Sequence, residues 1–121
     1  MKATACLLGV SLALATVPGC GKGPLKIVAS CDMRGHGGSN SEICMDLTDR
    51  NLDKVKQLCD AQGNKWQTQA CDRKGSLGGC RDDAAITWQY PSSQAKTADD
   101  VKKGCYGDAK YVPADWTEPT K

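Results

Sequence analysis

Eight cysteines and one histidine carry the widest chemical reach in this 121-residue chain. Zinc and iron–sulfur sites draw thiolates from close pairs such as C-x2-C. The closest cysteines here, Cys71 and Cys80, have eight residues between them. No C-x-x-C-H attaches a haem, and no C-x-x-C provides the low-pKa thiol of a redox catalyst. His36, the sole histidine, stands in Arg34-Gly35-His36-Gly37-Gly38. A glycine on each side cannot hold an imidazole against a nucleophile, so His36 reads as a solvated loop residue. Asp82-Asp83 and Asp99-Asp100 are adjacent carboxylates, whereas glycosidase chemistry needs two facing each other across ~5–9 Å. Asp82-Asp83 also lacks the D-x-D-x-D-G spacing of a calcium loop. Lys74-Gly75-Ser76-Leu77-Gly78-Gly79-Cys80 lacks the G-K-[ST] ending of a phosphate loop. The pattern implies no catalytic residue, no cofactor and no metal; structural disulfides are what the cysteines are left to form.

One cysteine stands apart. Met1-Lys2 is followed by an uncharged run from Ala3 to Ala15 and then by Val17-Pro18-Gly19-Cys20. The run is shorter than the ~20 apolar residues of a membrane-spanning helix, and it has the length of a signal-peptide core. The order of charge, apolar core and terminal Cys resembles the leader of bacterial lipoproteins, with Val17, Gly19 and Cys20 at lipobox positions and Pro18 where Ala, Ser, Thr or Val is usual. That resemblance covers residues 1–20 and implies lipidation of Cys20. It places the protein in the cell envelope, held to the membrane by its lipid. With no Asp at position 21, the outer membrane is the expected destination. A rival reading of the same segment uses Ala13-Leu14-Ala15 as an ordinary cleavage site and releases a soluble periplasmic or secreted protein starting at Thr16. Cysteine parity separates the two. Cys6 leaves with the leader, and if Cys20 takes lipid, Cys31, Cys44, Cys59, Cys71, Cys80 and Cys105 remain, enough for three disulfides.

The elements that must position these cysteines are short. Residues 25–32 hold Ile27 and Val28 and read as a strand, residues 34–40 as a loop and residues 41–46 as a second short strand. Leu52, Val55, Leu58 and Cys59 recur at helical spacing. Thr48 is the expected N-cap, Leu47 and Leu52 a hydrophobic staple, and Gly63 the stop. Residues 65–71, 77–81 and 85–90 read as strands of an antiparallel meander, with Gly78-Gly79 marking a bulge or a close backbone approach. Thr97-Ala98-Asp99-Asp100 is a capping box for a second short helix carrying Val101 and Cys105 inward. Asp53-Lys54-Val55-Lys56-Gln57-Leu58-Cys59 matches Asp99-Asp100-Val101-Lys102-Lys103-Gly104-Cys105 at Asp, Val, Lys and Cys, with Trp66 and Tyr111 following. This is either a duplicated helix–Cys–strand unit or the chance likeness of two amphipathic helices.

The resulting organisation is a leader over 1–19, a tether over 20–24, one domain over 25–112 and an extended or disordered tail over 113–121. Phe is absent, so the expected core is thin: Ile27, Val28, Ile43, Leu47, Leu52, Val55, Leu58, Trp66, Leu77, Ile86, Trp88, Tyr90 and Val101. Disulfides commonly reinforce such cores in exported proteins. The expected fold is α+β, a small antiparallel sheet with two short helices on one face, stapled by three bridges. Six cysteines allow fifteen pairings. Loop logic favours Cys80–Cys105, Cys59–Cys71 and Cys31–Cys44. The mature part resembles small cysteine-containing envelope lipoproteins of unassigned function, on Cys59…Gly63…Trp66…Cys71, Gly78-Gly79-Cys80-Arg81, Thr87-Trp88 and a last helix ending in Cys105. That resemblance brings no activity.

A net charge of +2 without a basic run argues against nucleic acid as a partner. The expected function is a non-catalytic binding surface for an envelope or extracellular protein or glycan. The alternatives are an inhibitor of a hydrolase, of the lysozyme-inhibitor kind, inserting residues 34–40 or 72–79, and a small enzyme. Trp116 is the aromatic expected to be exposed.

Overall fold

The computed structural model describes residues 23–35 and 42–119. The leader, Cys20 and His36 lie outside them. Six strands and two helices follow one another as β1 (Ala29–Asp32), β2 (Ile43–Leu47), α1 (Leu52–Ala61), β3 (Lys65–Gln67), β4 (Gly78–Arg81), β5 (Ala85–Gln89), α2 (Ala98–Gly104) and β6 (Lys110–Val112). The strands form one antiparallel sheet in the order β3-β1-β2-β5-β4-β6.

This order contains a repeat. Each half runs β-β-α-β, and in each half the third strand lies beside the first: β3-β1-β2 in one, β6-β4-β5 in the other. The halves join through β2 and β5, where Met45 faces Thr87. One row of neighbours crosses the whole sheet: Trp66, Cys31, Met45, Thr87, Cys80, Tyr111. Its centre lies between Met45 and Thr87, and Cys31 matches Cys80 as Trp66 matches Tyr111. The matched cysteines take matched partners, Cys59 of α1 for Cys31 and Cys105 of α2 for Cys80. Lys56 lies over the Trp66 ring at 5.7 Å, and Lys102 over the Tyr111 ring at 5.3 Å. The sequence echo is thus part of a pseudo-twofold fold, with both helices on one face of the sheet.

Successive residues of a strand point to opposite faces, and this decides the disulfides. Cys31 is opposite Met45, and Cys44 is opposite Asp32. The two cysteines are one step out of register and point away from each other, so the expected Cys31–Cys44 pairing does not form. Cys44 projects to the face without helices and bonds Cys71; Cys31 projects to the helical face and bonds Cys59, so the expected Cys59–Cys71 bridge is absent too. Cys80–Cys105 forms as expected.

Local signals act where the sequence places them at α2 and at the end of α1, but the N-cap and the Leu47–Leu52 staple expected at the start of α1 do not form. The Thr97 hydroxyl accepts from the Asp100 N–H at 3.2 Å, and the Asp100 carboxylate accepts from the Thr97 N–H at 3.0 Å, completing the capping box. At the end of α1, Gly63 adopts φ 76°. The Asn64 N–H reaches the Cys59 carbonyl and the Gly63 N–H that of Asp60, a Schellman stop. The N-cap of α1 is Asn51 in the left-handed region, not Thr48. Thr48 instead donates to the Ala84 carbonyl at 2.9 Å, tying the end of β2 to the β4–β5 turn.

Non-local placement departs further. The expected meander is broken because β3, reduced to three residues, pairs with β1 at the far edge. The last strand, β6, is not among the expected strands; it pairs with β4. Gly79 answers to close approach and not to a bulge: β4 and β5 pair in continuous register. A Cβ on Gly79 would stand 2.8 Å from the Thr87 carbonyl oxygen and 2.9 Å from Trp88.

The core forms two clusters. On the helical face Cys31, Leu47 and Cys59 are buried, with Leu52, Val55 and Trp66 half-buried around them. Leu58, expected in the core, is 55% exposed. On the opposite face Cys44, Cys71, Ile86, Trp88, Tyr90 and Val112 form the larger cluster, joined by Leu25 and Trp116. Trp116, expected exposed, packs there; the tail crosses this face, and the packed unit continues past Val112. Chain without regular structure, residues 68–77 and 113–119, covers this face.

Candidate functional site

A buried polar cluster lies under those two segments. Asp46 of β2 is 3% exposed. One carboxylate oxygen accepts from the Cys71 N–H and the other from the Trp88 indole N–H, each at 2.7 Å. Burial pushes the Asp46 carboxyl above its ordinary value, with the two donors and Arg73 opposing. Arg73 covers the Trp88 ring at 4.6 Å and donates to the Trp116 carbonyl at 2.6 Å. At the end of the sheet Arg34 grips Asp32 through Nε at 2.9 Å and Nη2 at 2.8 Å, and lies over the Tyr90 ring at 4.2 Å. The Tyr90 hydroxyl donates to the Asp72 carbonyl. A shifted buried carboxylate marks a functional site when it faces a cleft. Asp46 faces its own loop instead, and both of its oxygens are engaged; it seats Cys71 and Trp88.

Glu118 closes the second segment. Its carboxylate accepts from Arg81 Nε at 2.7 Å, Arg81 Nη2 at 2.6 Å, the Trp116 indole N–H at 2.9 Å and the Leu25 N–H at 2.9 Å. Chiefly through Arg81, the Glu118 carboxyl is held down to about 2 from 4.5. The folded protein thus keeps this charge where the unfolded chain takes a proton. The stabilisation is complete above pH 4.5 and is lost as the pH falls towards about 2. A shift of this size corresponds to at most about 3 kcal/mol, which solvent at the clasp reduces to about 1–2 kcal/mol. Denaturant unfolding of wild type and Glu118→Gln should therefore differ at neutral pH and converge in acid; curves separated by a constant amount would refute the assignment.

The remaining sequence candidates separate. Asp82 accepts from the Ala84 and Ala85 N–H groups in the β4–β5 turn, and Asp83 makes an exposed pair with Arg50. Asp99 pairs with Lys103, and Asp100 caps its helix. Asp82 and Asp83 line a cleft of about 420 Å³ together with Asp108, Arg81 and Lys110; there Asp82 is engaged by its own turn and Asp83 by Arg50. Among the described residues no His, Cys, Asp or Glu side chains gather as metal ligands would, and no helix is long and apolar enough to cross a membrane.

Among the described residues, two surfaces besides the cleft at Asp82 and Asp83 are suited to recognition. On the helical face α1 packs on β3, and α2 on β4 and β6. Between them runs the central strip of β2 and β5, with Ile43, Met45, Thr87 and Gln89 half-buried. Sequence periodicity could not find this strip, because it exists only once β2 meets β5. The second surface is the loop 72–79. Its base is fixed by the Cys44–Cys71 bridge, by Tyr90 on the Asp72 carbonyl and by Arg73 on Trp116, while Lys74 and Gly75 at its tip are exposed.

Fold and cysteines together define a small disulfide-stapled α+β domain. Comparison with protein-family models, with curated proteins and with solved structures finds no match.

Proposed function

We propose that this is a lipid-anchored protein of the cell envelope, at the outer membrane, that presents a non-catalytic binding surface to an envelope or extracellular protein or glycan. One observation supports the anchor above the others. All six described cysteines are closed in disulfides, which leaves Cys20 as the one cysteine beyond the leader core for another chemistry. The binding surface on this reading is the strip between α1 and α2. Each flanking helix is bridged to the sheet, so little ordering entropy is lost on contact.

The anchor is tested by expressing the full chain in a Gram-negative host. Wild type should sediment with membranes and carry acyl chains on Cys20, since two or more chains give stable anchoring. Cys20→Ser should be soluble or remain unprocessed. A soluble wild type beginning at Thr16 would overturn the anchor.

A second reading, inhibition of a hydrolase, is favoured by one feature: the loop 72–79 is held rigid at its base and exposed at its tip. Stoichiometric loss of lysozyme activity on titration with the domain, relieved by Lys74→Glu, would establish it.

A further inference from the structure

We propose that the lipid anchor keeps the end of the sheet carrying Leu25, Arg81, Asp83 and Lys110 near the lipid surface and bars the domain from turning the end carrying Lys65 and Lys74 towards it. This inference rests on the lipid anchor at Cys20 proposed above.

Strand register defines the two ends. Ala29 is opposite Leu47, Leu47 opposite Ala85, and Ile86 opposite Arg81, which faces Lys110; these lie at one end. At the other end Lys65 faces Asp32, and the Leu77 N–H bonds the Gln89 carbonyl. Lys74 lies between Leu77 and Asp72, whose carbonyl is held by Tyr90. The chain enters at the first end. Arg81 Nη2 donates to the Gly23 carbonyl at 3.4 Å, and Leu25 is fixed through its N–H on Glu118 and its side chain in the core.

Chain length then limits the orientation. From Cys20 to Leu25 is five residues, at most about 18 Å when fully extended. A compact domain of this size is about 30 Å across. Bringing the Lys65 end to the lipid would lift Leu25 by about that depth, beyond the reach of the tether. No charge attraction is needed. The Glu118 clasp and the packed Leu25 side chain set the limit together: without both, the next fixed point is Val28, whose N–H bonds the Leu47 carbonyl. The tether would then reach about 28 Å, close to the domain's own depth. The loop 72–79 lies at the outward end.

The test uses the acylated full-length protein in phosphatidylethanolamine–phosphatidylglycerol vesicles, labelled with a small amine-acetylating reagent and read by peptide mass spectrometry. Relative to soluble Cys20→Ser, Lys26 and Lys110 should react severalfold more slowly on vesicles, while Lys65 and Lys74 keep their rates. In the double variant Glu118→Ala/Leu25→Ser, with its three disulfides verified, this contrast should shrink. Acylated protein whose Lys65 and Lys74 are protected as strongly as Lys26 and Lys110 would overturn the orientation alone. Protein without acyl mass on Cys20 would overturn the anchor and the orientation with it. An undiminished contrast in Glu118→Ala/Leu25→Ser would overturn the role of the Leu25 attachment.

Discussion

Replacing Cys44 and Cys71 together by Ala should lower the unfolding free energy by about 4–5 kcal/mol, more than the loss of the Cys80–Cys105 bridge. The bridge closes a loop of 27 residues, and restricting a loop of that size in the unfolded chain is worth about 3.5 kcal/mol. The folded state adds to this. Cys44 is fully buried and Cys71 nearly so, both in the cluster that holds Trp88, and their removal leaves a void in it. The bridge also holds the loop whose Cys71 N–H satisfies Asp46. Cys80 and Cys105 are only half-buried, so their double replacement should cost little beyond the entropic part, about 3.5 kcal/mol. Urea unfolding of the two variants at neutral pH gives the comparison. Equal losses, or a greater loss for the Cys80–Cys105 variant, would contradict the packing role assigned to the inner bridge. Peptide mapping without reduction should recover Cys31–Cys59, Cys44–Cys71 and Cys80–Cys105.

The failure to read two of these bridges from the sequence has a definite cause. A one-residue change of register sends every side chain of a strand to the other face. Whether Cys31 and Cys44 can bond depends on whether Cys44 lies opposite Cys31 or opposite Asp32. Nothing in residues 33–43 fixes that choice locally. The Thr97–Asp100 box and the Gly63 stop involve neighbours within a few residues, and there the sequence suffices. Strand β3 shows the contrast: Lys65 and Trp66 look strand-like on their own, but their partner is β1, more than thirty residues earlier. The duplicated unit is visible in Asp, Val, Lys and Cys. Its meaning becomes plain only when Cys31 and Cys80 fall on one row of the sheet. The central strip between the helices is equally hidden, because it is made by the junction of the two halves.

The second large effect concerns Asp46, and its pH dependence runs opposite to that of Glu118. Asp46→Ala leaves the Trp88 indole N–H and the Cys71 N–H without an acceptor in a water-poor interior, at a cost of about 2–4 kcal/mol. Asp46→Asn keeps one acceptor oxygen but turns an amide NH2 towards the other donor, so about 1–2 kcal/mol should be lost. The folded Asp46 carboxyl lies above its ordinary value because burial penalises its charge. As the pH falls through that raised value the folded protein binds a proton that the unfolded chain does not yet hold, and wild type gains stability relative to Asp46→Asn. The gain is complete once the pH is below 3.8, where the unfolded carboxyl is also protonated. Glu118 loses its contribution as the pH falls from 4.5 towards about 2, which would mask the effect. The comparison therefore belongs in a Glu118→Gln background, by denaturant unfolding from neutral pH to about pH 3. If adding Asp46→Asn to that background changes stability by the same amount at every pH, burial does not govern this carboxylate. An Asp46→Ala variant as stable as wild type would mean that its two donors find other acceptors.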